Sequence, residues 1–264
     1  MLDDNRFPFG LLFSYRLTNY TFHGRYNACV DTISTPSTAR TAALAARFPL
    51  VTHPVEAAGR SWRLTAVRDQ DALLSGVETD GDVEQFPYGL LLWASALGLA
   101  GRLAEEPSLV AGKRVLEIGA GVGLPGLAAH ALGAAEVIQT DYQDDALALC
   151  AHNAVENGVP AGAVRCRRAD WRDFPDLGQP FPLVIGSDVL YERTLHPTLR
   201  ALLPRLVTPG GRVLLSDPVR PQALAFIDFL EQDRSWVVEI ESRLVAWEGE
   251  QREIALFMLH RKAG

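Results

Sequence analysis

Apolar residues in this chain fall into two alternating registers. Short branched runs, at 115–118, 136–140 and 183–188, are too brief for helices and read as buried parallel strands. Between them apolar residues recur at steps of three and four. Leu124, Leu127, Ala128, Ala131 and Leu132 form one such face, and Leu147, Cys150, Ala151 and Ala154 form another. Asn157-Gly158 is the stop signal of the second helix. Further strands are predicted over 163–169 and 212–216, and further helices over 195–207 and 221–233. The segment 171–182 is proline-rich and reads as a loop. Two alternating stretches, 236–244 and 253–260, have only a short connection and should pair antiparallel at a sheet edge. Five strand–helix units and a terminal hairpin predict an α/β, doubly wound sheet of seven strands, mostly parallel.

Residues 1–85 follow a different pattern and are expected to form an N-terminal extension, with the main domain at 86–264. The stretch 7–26 is aromatic-rich without a period, and 32–38 is a Ser/Thr/Pro loop. A short Ala-rich helix fits 38–48. Alternation over 62–67, and a Thr79-Asp80-Gly81-Asp82 turn before 83–86, predict a small strand pair. The aromatics suit either a lid over a site or plain packing on the main domain. Residues 88–103 are apolar nearly all round and predict one buried helix with Trp93 inside it.

Composition narrows the function. The 264 residues are 48% hydrophobic and 22% charged, with a formal net charge of −7. That balance argues against nucleic acid as a partner, because phosphate neutralisation needs a basic face. Arg165-Cys166-Arg167-Arg168 is one local basic cluster and also suits a solvated strand end. Three cysteines, Cys29, Cys150 and Cys166, have neither disulfide nor zinc spacing. No apolar run approaches the ~18 residues of a membrane span, and the start lacks the pattern of a leader. A soluble, cytoplasmic protein with no membrane partner and no metal is expected.

The candidate chemistry lies at 113–141. Gly119, Gly121 and Gly123 sit between a strand and a helix, and the next strand ends on Asp141. Such a βαβ unit holds a nucleoside, with the acid placed for ribose hydroxyls. A dinucleotide fingerprint would need glycine at 124, where this chain has Leu124. Glu117 would repel pyrophosphate and favour an ammonium group. Ribose, amine and no phosphate point to S-adenosylmethionine ahead of NAD. Asp170, Asp188 and Asp217 also end strands, so four acids share one rim of the sheet. Each alone also suits a helix cap.

The run from Glu117 to Gly123 resembles motif I of class I, seven-strand, Rossmann-like S-adenosylmethionine-dependent methyltransferases. Trp93, Leu124-Pro125-Gly126, Thr140-Asp141, Asp170-Trp171 and Ser187-Asp188-Val189-Leu190-Tyr191 narrow the resemblance to the lysine-methyltransferase-like family 16. Asp217-Pro218-Val219-Arg220 resembles the branch with bacterial electron-transfer-flavoprotein methyltransferases and predicted nicotinamide methylases. The likeness covers roughly 83–260. It implies that Gly119, Ala120, Gly121 and Gly123 line the methionine part and that Glu117 holds its amine. Asp141, with Tyr142 beside it, takes the ribose. Asp170 and Trp171 meet the adenine, Ser187 lies beneath the cofactor, and Trp93 borders it. Asp188 and Tyr191 would orient the acceptor amine, a protein lysine or, as the alternative, a small nicotinamide-like amine. A non-catalytic cofactor-binding module and an NAD-dependent oxidoreductase are the readings from other classes.

Overall fold

The computed structural model describes residues 37–75 and 86–262. The aromatic stretch 7–26, Cys29, most of the 32–38 loop and the turn at 79–82 lie outside the described residues.

Seven strands form the main sheet: β3 (Arg114–Ile118), β4 (Glu136–Asp141), β5 (Val164–Arg168), β6 (Phe181–Ser187), β7 (Val207–Asp217), β8 (Trp236–Trp247) and β9 (Glu250–Arg261). Their order is β5-β4-β3-β6-β7-β9-β8. The first five are parallel, and β9 pairs antiparallel with both β7 and β8. This is the doubly wound, mostly parallel sheet expected from the periodicity. The chain reverses direction across the sheet between β3 and β6, and ligands of such sheets bind in the crevice beyond the strand ends there.

Side-chain alternation divides the core between the two faces. Val115, Val137, Leu183, Ile185 and Leu214 pack with Leu99 and Leu103 of α3 (Ala94–Glu105) and Ala129 of α4 (Leu124–Ala131). Leu116, Ile118, Val184 and Leu215 pack with α6 (His196–Leu206) and α7 (Pro221–Glu231). Helix α5 (Asp144–Glu156) lies beside α4 and carries the N-terminal elements. The connection from β5 to β6 contains no helix, as its prolines foretold, so the five-unit count was one helix too high.

The small strand pair exists, but its partner differs from expectation. β2 (Arg60–Val67) pairs antiparallel with β1 (Leu50–Ala57), which precedes it; helix α1 (Ser37–Arg47) leads in and the short α2 (Gln70–Ser75) follows. Pro54 obscured β1, and it is tolerated because its strand lies at an edge of a two-stranded sheet. This hairpin is not loosely appended. Its Trp62, Leu64, Ala66 and Val67 share one buried cluster with residues of α3, α4 and α5. Asn153 of α5 and Asn157, which caps that helix, also read the free edge of β2 as a neighbouring strand would. Asn153 accepts from the Thr65 amide at 2.8 Å and donates to the Thr65 carbonyl at 3.1 Å. Asn157 accepts from the Arg63 amide at 3.0 Å and donates to the Arg63 carbonyl at 2.8 Å. Asn153 Nδ2 further reaches the Val122 carbonyl at 2.9 Å, tying the hairpin to the glycine loop. Asn153→Ala leaves several buried polar groups unpaired and should cost about 3 kcal/mol in urea denaturation, as a shift in midpoint without change in slope.

Residues 88–103 are not one helix. Tyr88–Leu90 is a single 3-10 turn, and α3 starts at Ala94 with Trp93 as its extended N-cap. The break has a physical cause. Trp93 Nε1 donates to the Tyr88 carbonyl at 3.0 Å, closing the turn, and Gly89 lies against Gly121 and Asp141.

Candidate active site

The site is assembled where β3 and β4 end beside β6. Gly119 and Gly121 turn with φ of +60° and +53°, a region side-chain-bearing residues avoid. A Cβ on Gly119 would stand 2.8 Å from Val189 Cγ1, and one on Gly121 would stand 3.1 Å from the Gly89 carbonyl oxygen. The glycines thus let the loop lie close under the strand-end loop of β6 and the turn before α3. Trp171 Cζ2 is 3.5 Å from that same Gly119 position, so the ring borders the loop. Three loop amides are already engaged. Ala120 donates to Thr140 O at 2.9 Å, Gly123 to Ala120 O at 2.9 Å, and Gly121 to Asp141 Oδ2 at 3.1 Å.

Asp141 holds the corner. Its side chain also accepts from the Gln143 amide at 3.0 Å, and the residue is only 5% exposed. Burial pushes its carboxyl above the ordinary value, while these backbone donors pull the other way. Tyr142 follows, its phenol pushed up to about 12 by burial and then by Asp141. At the tip of β5, burial would raise Asp170, but its hydrogen bonds from Arg172 prevail and hold it below the ordinary value. Both Asp170 oxygens meet the Arg172 side chain, Oδ1 at 2.9 Å and Oδ2 at 2.6 Å. Ser187 ends β6 beside Ser216 of β7.

Glu117, expected to hold the cofactor's amine, lies behind the glycine loop. Alternation along β3 points it to the α4 face, and it is fully buried. Its Oε2 accepts from the Gly126 amide at 2.9 Å and from Gln139 Nε2 at 2.7 Å. It therefore meets the first turn of a helix, behind the loop, where a carboxyl satisfies an otherwise unpaired N–H. Leu124-Pro125-Gly126 serves this arrangement. Proline needs no amide partner in the first turn, and a Cβ at Gly126 would lie 2.5 Å from Glu117 Oε2. Burial pushes Glu117 up to about 8, opposed by Gln139 and Gly126.

Asp188 directly follows β6. It was expected to face an acceptor amine, yet its side chain is 9% exposed and ion-paired with Arg220 at 2.8 Å. Burial raises its carboxyl above the ordinary value, with Arg220 working against the rise. Tyr191, by contrast, is 36% exposed, and its ring meets Tyr88 edge-on at 5.5 Å. Tyr88 in turn lies 4.5 Å from Phe86 and 6.2 Å from Trp93 between ring centroids. An aromatic rim therefore borders the corner that Asp141 and the glycine loop define. Tyr88, Gly89 and Gln139 were not anticipated. The Pro87-Tyr88-Gly89 breaker inside an apolar run, and one glutamine inside strand 136–140, were the available signals.

Among the described residues there is no group of three or more His, Cys, Asp or Glu side chains able to hold a metal ion. No helix among them is long and apolar enough to cross a membrane.

The sheet order, the glycine loop at the reversal point and the acid at the second strand tip define a Rossmann-like, nucleoside-binding α/β protein of the class I methyltransferase type. Residues 78–233 match the family described as lysine methyltransferase, and the chain belongs to that family. A relative named protein N-terminal and lysine N-methyltransferase EFM7, from Eremothecium gossypii, is 35% identical over 52% of this chain and 58% of its own. Protein N-lysine methyltransferase METTL21A of Danio rerio is 30% identical over 67% of this chain and 79% of its own. The chain thus spans little more than half of the first relative's length. Magnesium protoporphyrin IX methyltransferase from Synechocystis, solved with bound SAM, shares the fold with a TM-score of 0.50. It is 18% identical over 64% of this chain and 80% of that one.

Proposed function

We propose that this protein is an S-adenosyl-L-methionine-dependent N-methyltransferase whose acceptor is a lysine side chain of a protein. The observation that carries the cofactor reading is the state of the glycine loop. In a dinucleotide fold the loop amides point at a pyrophosphate. Here Ala120, Gly121 and Gly123 spend theirs on Thr140, Asp141 and Ala120. A carboxylate corner remains, suited to ribose hydroxyls and hostile to phosphate. Membership of the lysine methyltransferase family supports the acceptor.

In this reading Asp141 binds the ribose and Gly119, Ala120 and Gly121, with Gly123 behind them, form the wall of the methionine part. Tyr142, Asp170 and Trp171 enclose the adenine, Ser187 forms the floor and Trp93 the rim. Glu117 acts from behind, fixing the loop through Gly126 and Gln139. The bound cofactor supplies an electrophilic methyl group on a sulfonium. The chain's own task is to align an uncharged amine with it and exclude water, and Tyr191 is the residue placed to meet the acceptor. The amine nitrogen gains the methyl carbon, the carbon–sulfur bond breaks, and the proton lost from nitrogen passes to solvent. The free thiols Cys150 and Cys166 support a reducing, cytoplasmic setting.

Incubation with tritiated-methyl cofactor and a lysate, separated into protein and small-molecule fractions, tests the acceptor. Label is expected on lysine of a discrete protein band, and absent with Asp141→Ala. Label confined to the small-molecule fraction would replace the lysine by a nicotinamide-like amine.

A further inference from the structure

Asp188 directly follows β6 and Asp217 ends the neighbouring strand β7, and their side chains are 9% and 0% exposed. One guanidinium serves both. Arg220 Nη2 lies 2.8 Å from Asp188 Oδ1, and Nη1 donates to Asp217 Oδ2 at 2.9 Å. The Arg220 amide also donates to Asp217 Oδ1 at 2.7 Å. Both strand ends turn through left-handed, non-glycine residues, Asp188 with φ +55° and Val219 with φ +61°. A β-branched residue stays in that region only where its surroundings hold it. Two further contacts fasten the loop that follows Asp188. His196 Nε2 lies 3.0 Å from the Leu190 carbonyl, and Gln222 Nε2 lies 3.4 Å from the Tyr191 carbonyl. The strained segment bearing Arg220 thus holds the segment that presents Tyr191 to the aromatic rim.

We propose that Arg220 is a positioning residue for the transfer, fixing the strand-end loop of Tyr191, and that Asp188 is its counter-charge and not a ligand of the acceptor amine. This rests on the N-methyltransferase reading above. Two buried carboxylates share one guanidinium, and removing the cation leaves two acids facing each other without their counter-charge. Replacing Asp188 by asparagine at the same time restores the original balance.

Arg220→Gln, Asp188→Asn and the double variant form the test. Arg220→Gln should lower the melting temperature by about 10 °C, the cost of breaking a buried pair in a chain of this size. The double variant should recover at least half of that loss. In kinetics, Arg220→Gln should reduce kcat about 100-fold, keep S-adenosylhomocysteine affinity within about threefold, and regain at least about tenfold in kcat when Asp188→Asn is added. If Asp188 instead held the acceptor, Asp188→Asn would raise the acceptor KM and the double variant would be no faster than Arg220→Gln. Additive melting shifts in the cycle would overturn the clamp whatever the activity. A wild type that transfers no methyl to any amine would remove the reaction while the stability cycle still decides the clamp.

Discussion

Asp141→Ala is expected to weaken S-adenosylhomocysteine binding by about 100-fold or more in calorimetric titration, while Asp141→Asn costs about tenfold. Each hydrogen bond from a ribose hydroxyl to a charged carboxylate contributes about 1.5–3 kcal/mol, and two of them correspond to that loss. Alanine removes a second function as well. Asp141 Oδ2 accepts from the Gly121 amide at 3.1 Å, so the loop loses its tie and a partly buried N–H loses its acceptor. Asparagine keeps an acceptor for that amide and isolates the ribose term. The pH dependence has a definite sign. Burial raises the Asp141 carboxyl above the ordinary aspartate value, so on acidification it takes up a proton earlier than a free aspartate. Its ability to accept from both hydroxyls declines with it, and affinity should fall as pH drops through that raised value. Asp141→Asn should lack this component. Equal affinity in wild type and Asp141→Ala would contradict the ribose assignment.

The parallel strands were legible because burial on both faces makes each an uninterrupted apolar run, and the helices because one apolar face recurs every three to four residues. The glycine loop and Asp141 were legible for a related reason, since backbone approach and ribose recognition each demand a particular residue type at a particular place. Direction within the site was harder to read. Glu117 and Asp188 both carry carboxylates near the site, but the side of β3 that Glu117 faces follows from the register, and the partner of Asp188 lies 32 positions away at Arg220. The start of α3 is hard to place because apolarity all round conceals a break that Pro87 and Gly89 only hint at and that Trp93 bonding back to Tyr88 makes plain. The hairpin was half legible. The alternation of β2 is visible, but its attachment depends on Asn153 and Asn157, a polar residue within a helix and its cap, whose side-chain partners no periodicity reveals.

Glu117→Gln is expected to stabilise the protein, in the absence of ligand, by about 2–4 kcal/mol at pH 8.5 and by little at pH 5.5. In the fold, burial pushes the Glu117 carboxyl up to about 8, far above its ordinary value near 4.5. A raised folded-state value means that the folded protein holds the proton more tightly than the unfolded chain. The resulting stabilisation is fully present below about pH 4.5 and is lost as pH rises through about 8. Each pKa step corresponds to about 1.4 kcal/mol, so the wild type loses about that much per pH unit across the window and levels off above it. Glutamine cannot ionise, yet its carbonyl oxygen can still accept from the Gly126 amide and from Gln139, the two donors that now meet Glu117 Oε2. Urea midpoints measured between pH 5.5 and 8.5 should therefore decline for the wild type and decline less for Glu117→Gln. Parallel declines would mean that the carboxyl is ionised throughout and that its buried charge is compensated. A cofactor amine that drew Glu117 into its charged form would displace the proton. Wild-type binding at pH 7 would then release protons, seen as a dependence of the binding enthalpy on the buffer, and Glu117→Gln would lose that dependence.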